Sequence, residues 1–213
     1  RENEPMGGYD PYSSSKGSAE LLISSYRNSY YPTSQYDSHK TAIASARAGN
    51  VIGGGDWAED RLIPDIIRAF EKGEQAKIRR PCSIRPWQHV LEPLSGYIQL
   101  AELLVTDGSK YSEAWNFGPR DDDVRPVEWI VEYLAEQWRN NASWSVDDSK
   151  KHPHEANYLK LDCSKAHARL NWHPKWDLRR ALLEVVRWHK EGNENGKFEG
   201  ICMTQIREYM EGL

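Results

Sequence analysis

The chain has 213 residues, 38% of them hydrophobic, with a net charge of −4 and basic residues spread along its length. That balance excludes a polybasic nucleic-acid surface, and no apolar run approaches the roughly 20 residues that span a bilayer. Cys82, Cys163 and Cys202 are far apart and in no CxxC arrangement, which excludes a disulfide framework or zinc knuckle and fits a reducing cytoplasm.

In chain order, Arg1 to Gly8 reads as an internal loop with no initiator Met, so the sequence is expected to continue upstream. Pro11 opens a helix that carries Tyr12, Ala19, Leu22, Ile23 and Tyr26 and ends near Tyr30-Tyr31-Pro32. Tyr12 and Lys16 are four apart, so on that helix they share a face. An ammonium set beside a phenol stabilises its phenolate, which makes Tyr12 a candidate base. Tyr-x-x-x-Lys also arises by chance on surface helices, so the flanking sequence has to carry the weight.

Thr41 to Arg47 reads as a buried strand running into the Gly-rich loop from Ala48 to Trp57, where an open α/β sheet presents backbone to a ligand; a plain Gly-rich turn is the alternative. An amphipathic helix covers Leu62 to Phe70 and closes at Lys72-Gly73. A strand at Ala76 to Arg79 leads through Arg80-Pro81 to Ile84–Val90, and a helix follows from Pro93 to Val105. Further expected elements are a strand at Ala114 to Pro119, a helix at Val127 to Trp138, a strand at Trp144 to Val146, a polar loop at Asp147 to Ala156 and a strand at Tyr158 to Leu161. Helices at Ser164 to Leu170 and Leu178 to Lys190, a break at Asn193 to Gly196 and a short helix at Thr204 to Met210 complete the chain. His152-Pro153-His154 has neither paired Cys nor an HxxxH companion, so no metal site is expected.

Taken together, Tyr12-x-x-x-Lys16, Arg47 to Gly53, Arg85-Pro86-Trp87-Gln88-His89-Val90, Asn116-Phe117-Gly118 and Leu161 to Ala166 with Leu170 to Pro174 resemble the extended short-chain dehydrogenase/reductase family that acts on nucleotide sugars. The resemblance implies an α/β fold: the latter part of a Rossmann-like doubly wound parallel sheet plus a smaller α+β substrate-binding domain. It divides the chain into 1–52 and 86–107 for the NAD-binding part, and 53–85 and 108–213 for the nucleotide-sugar part. Within the family, Gly49 to Asp65, Arg80-Pro81-x-x-x-Arg85-Pro86-Trp87-Gln88-His89-Val90 and His152 to Ala156 are most similar to members acting on CDP-glucose. The implied activity is dehydration to CDP-4-dehydro-6-deoxy-D-glucose for deoxysugar and lipopolysaccharide synthesis, through NAD-mediated C4 oxidation, elimination of water and C6 reduction.

By the same resemblance Tyr12 and Lys16 are catalytic and touch NAD, and Ala48 and Val51 lie beside the nicotinamide. Asn50, Arg61, Leu62, Arg85, Trp87, His154 and Glu155 then contact the nucleotide sugar. The residues themselves leave plainer readings open: a turn-forming Asn50, solvated Arg61 and Arg85, and a surface loop at His154 and Glu155. The family's Gly-rich cofactor turn and its Thr or Ser lie upstream of its tyrosine, beyond the eleven residues that precede Tyr12 here. A homodimer through the tyrosine helix is implied as well, and its Leu21, Leu22, Ile23, Tyr26 and Tyr30 occupy more than one face. Two alternatives stand beside this: another NAD-dependent nucleotide-sugar epimerase or dehydratase, and a non-catalytic sugar-nucleotide-binding fragment.

Overall fold

Residues 1–147 and 158–212 are described by a computed structural model, and the chain falls into two compact units. The first comprises 1–48, 93–117 and 162–173; the second comprises 49–92, 118–161 and 174–213.

In the first unit, helix α1 (Pro11–Ser29) starts where Asp10 accepts the Ser13 amide at 2.9 Å and Pro11 supplies a preset φ. A short helix α2 (Tyr36–His39) precedes strand β1 (Ser45–Ala48), which pairs in parallel with β6 (Ala114–Phe117). Helix α4 (Leu91–Thr106), from Pro93 onward, and α6 (Ser164–Leu170) complete the unit. Its core is aromatic. Phe117 lies edge-on to Trp172 at 5.0 Å and to Tyr97 at 5.5 Å, and the Trp172 indole donates to Ser95 Oγ at 3.0 Å, satisfying the ring's polar edge. Lys165 and Arg169 stack on the buried Trp115 ring and both pair with Glu113. Two motifs far apart in sequence thereby meet, since Asn116 Nδ2 also donates to the Asp162 carbonyl at 3.2 Å.

The second unit holds β2 (Asn50–Ile52), α3 (Leu62–Glu71), β3 (Ala76–Ile78), β4 (Ile84–Arg85), β5 (Trp87–His89) and β7 (Arg125–Pro126). After these come α5 (Val127–Trp138), β8 (Trp144–Val146), α7 (Leu178–Asn195) and α8 (Phe198–Glu211). Pairs β2–β5 and β3–β8 are parallel, and β4–β7 is antiparallel. Ile63, Ile66, Ile67 and Phe70 recur at the spacing of one helical face and pack with Ile130, Leu134, Leu182 and Val185 of α5 and α7 in a closed apolar core. Glu92, fully buried at the start of α4, accepts the Trp176 amide at 2.8 Å, the Lys175 amide at 3.0 Å and the Tyr209 hydroxyl at 2.8 Å. Burial nevertheless pushes its carboxyl pKa up, against those donors.

Asp123 accepts the Leu178 amide at the start of α7 and has a pKa pushed up to about 6 from 3.8, by burial first, with Asp177 and Asp122 adding to it. An acid with a higher pKa folded than unfolded binds its proton more tightly in the folded chain. Its contribution to stability is therefore fullest below about pH 4 and declines as the pH rises to about 6. Between pH 4 and 6.5 we expect the wild type to lose about 1–2 kcal/mol relative to Asp123→Asn in urea titrations, after allowing for solvent screening. Identical pH dependences would contradict this.

Several sequence expectations are corrected. The strand expected at Thr41 begins only at Ser45, and the expected Gly-rich loop contains β2, a three-residue strand too short to show a period. Tyr158 makes a single bridge to Ile84 rather than a strand. The break expected at Asn193 to Gly196 falls at its last residue: α7 continues to Asn195, and Gly196 adopts φ +62° and caps it by donating to the Gly192 carbonyl. The last helix is 14 residues long because Ile201, Gln205 and Tyr209 bury one continuous face. No disulfide joins the described cysteines, no helix among the described residues is long and apolar enough to cross a membrane, and no metal-ligand cluster occurs among them.

Candidate functional site

In the first unit, the helical spacing sets Tyr12 and Lys16 on one face, with the Lys16 Nζ 5.6 Å from the centre of the Tyr12 ring. Tyr12 is 72% exposed, so its hydroxyl is open to a ligand rather than sealed in a core. Among the described residues Lys16 forms no ion pair, leaving three ammonium donors for an external acceptor. Ala48 closes β1 opposite Phe117 and is half-buried.

One turn beyond Lys16, the same helix carries a residue that the sequence reading passed over. Glu20 Oε2 accepts from Arg47 at 2.7 Å and from Ser45 Oγ at 2.8 Å, both on β1. Arg47's hydrogen bond, with Ser45's in support, outweighs burial and holds the Glu20 carboxyl below the usual carboxylate range. Arg47 also donates to the Glu2 carbonyl at 3.1 Å, while Glu2 Oε1 accepts the Asn116 amide at 3.1 Å. The signal that could have found Glu20 is the spacing itself, since 12, 16 and 20 follow one helical stripe.

In the second unit, β2 and β5 place Asn50 directly opposite Trp87, and the Asn50 amide donates to the Pro86 carbonyl at 3.0 Å. The strands approach so closely at this end that a Cβ on Gly49 would lie 2.5 Å from the Pro86 oxygen. Val51 is exposed on β2. Trp87 is half-buried, and its Nε1 is buried without a partner among the described residues. Arg85 stands two positions before Trp87, opposite Arg125 across β4–β7, and donates one bond to the Ile84 carbonyl at 2.9 Å. His154 and Glu155 lie outside the described residues.

Arg61 precedes the first residue of α3, Leu62, so an exposed guanidinium and helix N–H groups come together at one helix start. Asp56 holds Arg61 at 2.9 Å and accepts the Ala58 amide at 3.1 Å, while Arg68 donates to the Trp57 carbonyl at 3.1 Å. The loop between β2 and α3 is thus tied down at several points. Gly54 seats it on α7, since a Cβ there would come within 2.1 Å of the Trp188 ring. Trp57 lies edge-on to His189 at 5.0 Å yet remains 51% exposed. Two cavities in this unit, of about 470 and 210 Å³, are lined by Glu191, Lys197 and Thr204, and by Arg120, Asp123 and Arg179; neither includes a residue singled out from the sequence.

The chain is 62% identical over 210 residues to CDP-glucose 4,6-dehydratase of Salmonella typhimurium, a match covering 99% of this chain and 58% of that protein. Among solved structures, UDP-N-acetylglucosamine 4-epimerase from Methanobrevibacter ruminantium superposes with a TM-score of 0.73 at 22% identity, over 90% of this chain and 57% of its own. The NAD complex of dTDP-glucose 4,6-dehydratase from Bacillus anthracis gives 0.69 at 19%, over 92% and 57%. These structures share the α/β fold, and this chain spans between half and two thirds of the length of each protein. The family model described as GDP-mannose 4,6 dehydratase matches residues 1–185. With most of its length inside that match, the chain belongs to the GDP-mannose 4,6 dehydratase family.

Proposed function

We propose that the full-length protein carrying this chain is an NAD-dependent lyase that converts CDP-D-glucose to CDP-4-dehydro-6-deoxy-D-glucose and water. The observation that carries the reading is the open Tyr12–Lys16 pair on α1, in a chain 62% identical to a CDP-glucose 4,6-dehydratase. Tyr12 takes the proton from the sugar O4 as C4 is oxidised, and Lys16 binds ribose hydroxyls. The 4-keto group so formed acidifies the C5 proton, water leaves across C5 and C6, and C6 is reduced. NAD, when bound, accepts and returns the hydride.

The residues fit that cofactor: an ammonium with no ion pair among the described residues, next to an exposed phenol, suits the hydroxyls of a ribose. Ala48 and Val51 are the nicotinamide contacts of this reading, Ala48 in the first unit and Val51 in the second. The nucleotide-sugar contacts lie in the second unit. There Asn50 offers an amide to the sugar diphosphate with Trp87 opposite it across the strands, while Arg85, Arg61 and the helix start at Leu62 bring positive charge and N–H groups to it. His154 and Glu155 complete the substrate contacts. Exposed Leu21, Leu22, Tyr26 and Tyr30 on α1 support a homodimer through that helix, and the lack of disulfides among the described cysteines supports a cytoplasmic setting.

Assay of the full-length protein with CDP-, dTDP-, UDP- and GDP-sugars tests the substrate. The reading expects kcat/KM for CDP-glucose to exceed the others by at least about 100-fold, the discrimination available when a site hydrogen-bonds one base edge and leaves its own groups unpaired with another. A preference for a different nucleotide would transfer the chain to another activity within the family.

A further inference from the structure

We propose that the Glu20–Arg47 ion pair is a positioning device for the reaction: it fixes the rotation and height of the tyrosine helix against β1, and so the placement of Tyr12 and Lys16. The inference rests on the dehydratase reading for its chemistry and on the first unit alone for its geometry.

Tyr12, Lys16 and Glu20 occupy successive turns of one stripe of α1, so anything that holds Glu20 also sets the direction in which the phenol and ammonium point. Of the residues of α1, Gly17 alone is fully buried, and it packs on Gly7 and Met6 rather than on β1, while Ile23 is half-buried. Glu20 adds a directional tie to β1 beside that packing. Its Oε2 takes two charge-assisted or hydroxyl hydrogen bonds, at 2.7 and 2.8 Å, from side chains two residues apart on the same strand. The pair is largely shielded, with side-chain exposures of 22% for Arg47 and 18% for Glu20, so salt screens it less than a surface bridge. Arg47 is anchored at its other terminal nitrogen, Nη1, by the Glu2 carbonyl, and Ser45 is buried at the first position of β1. The strand ends one residue beyond Arg47, at Ala48, which the reading above places beside the nicotinamide. The same short strand therefore holds both the cofactor contact and the link to the acid–base pair.

A misplacement of about 1 Å in a reacting group can cost about 100-fold in rate. In the full-length protein, Arg47→Met is expected to lower kcat by about 10- to 100-fold while KM for the nucleotide sugar moves less than about threefold, since substrate contacts lie elsewhere. Arg47→Lys, which restores a cation to Glu20, is expected to recover at least about a third of the wild-type kcat. Amide hydrogen exchange over residues 12–20 is expected to quicken about tenfold in Arg47→Met and to return toward wild type in Arg47→Lys. Glu20→Gln provides a second, milder cut that keeps an acceptor for Ser45, and its kcat should fall between the two. Wild-type kcat in Arg47→Met, or a matched loss in KM and kcat with no rescue by Lys, would overturn the positioning role. If the wild type turned over no nucleotide sugar at all, the functional reading would fail on its own. Unchanged exchange over 12–20 in Arg47→Met would then still reject the link.

Discussion

Tyr12→Phe in the full-length protein is expected to reduce turnover of the nucleotide sugar by roughly 10³-fold, with KM within about threefold of wild type. The substitution removes one oxygen and leaves the ring, so Lys16 keeps an aromatic face beneath it at the 5.6 Å seen here. Because Tyr12 is largely exposed and its ring lies outside the apolar core, stability should change by less than about 0.5 kcal/mol. The loss is then one of proton transfer. Without the hydroxyl Lys16 cannot accept the proton from the sugar O4, because it carries donors only, and Glu20 on the same face is engaged by Arg47 and Ser45. Steady-state kinetics beside a thermal melt would check it, and turnover within tenfold of wild type would remove Tyr12 from the mechanism.

The largest expected effect on stability is at Glu92. Glu92→Ala strands the amides of Lys175 and Trp176 and the hydroxyl of Tyr209 in a site sealed from water. An unsatisfied buried donor costs about 1–3 kcal/mol, so the sum is about 3–5 kcal/mol once some relaxation is allowed. Lys175 Nζ donates to the Tyr209 carbonyl at 3.0 Å, so the turn at 174–176 and the end of α8 should loosen together. Glu92→Gln keeps the volume and one carbonyl oxygen and is expected to lose about half as much. Urea unfolding of the two variants checks the order, and a loss below about 1 kcal/mol in Glu92→Ala would show that water or neighbours take over the three donors.

Much of this was legible in the residues. Helices α3 and α5 announce themselves by apolar spacing, and α1 by Pro11 at its start, because a helix that buries one face against a core must repeat that face every turn. Strands of two to four residues carry no such period. Strand β2 therefore hid inside a run of glycines, and the pairing of Asn50 with Trp87 became visible only with the register. Tyr12 and Lys16 were legible because both partners lie within one helix. Glu20 and Glu92 were not, since a carboxylate in a polar-looking sequence reads as surface until its donors arrive from 25 residues away in one case and more than 80 in the other.

The dehydratase reading is tested most directly by turnover of CDP-glucose carrying deuterium at C4, with the product examined by mass spectrometry and NMR. The full-length protein is expected to yield CDP-4-dehydro-6-deoxyglucose with the deuterium at C6, because hydride leaves C4 and returns to C6 within one active site. Recovery of a 4-epimer with its C6 hydroxymethyl intact, or no reaction, would contradict it.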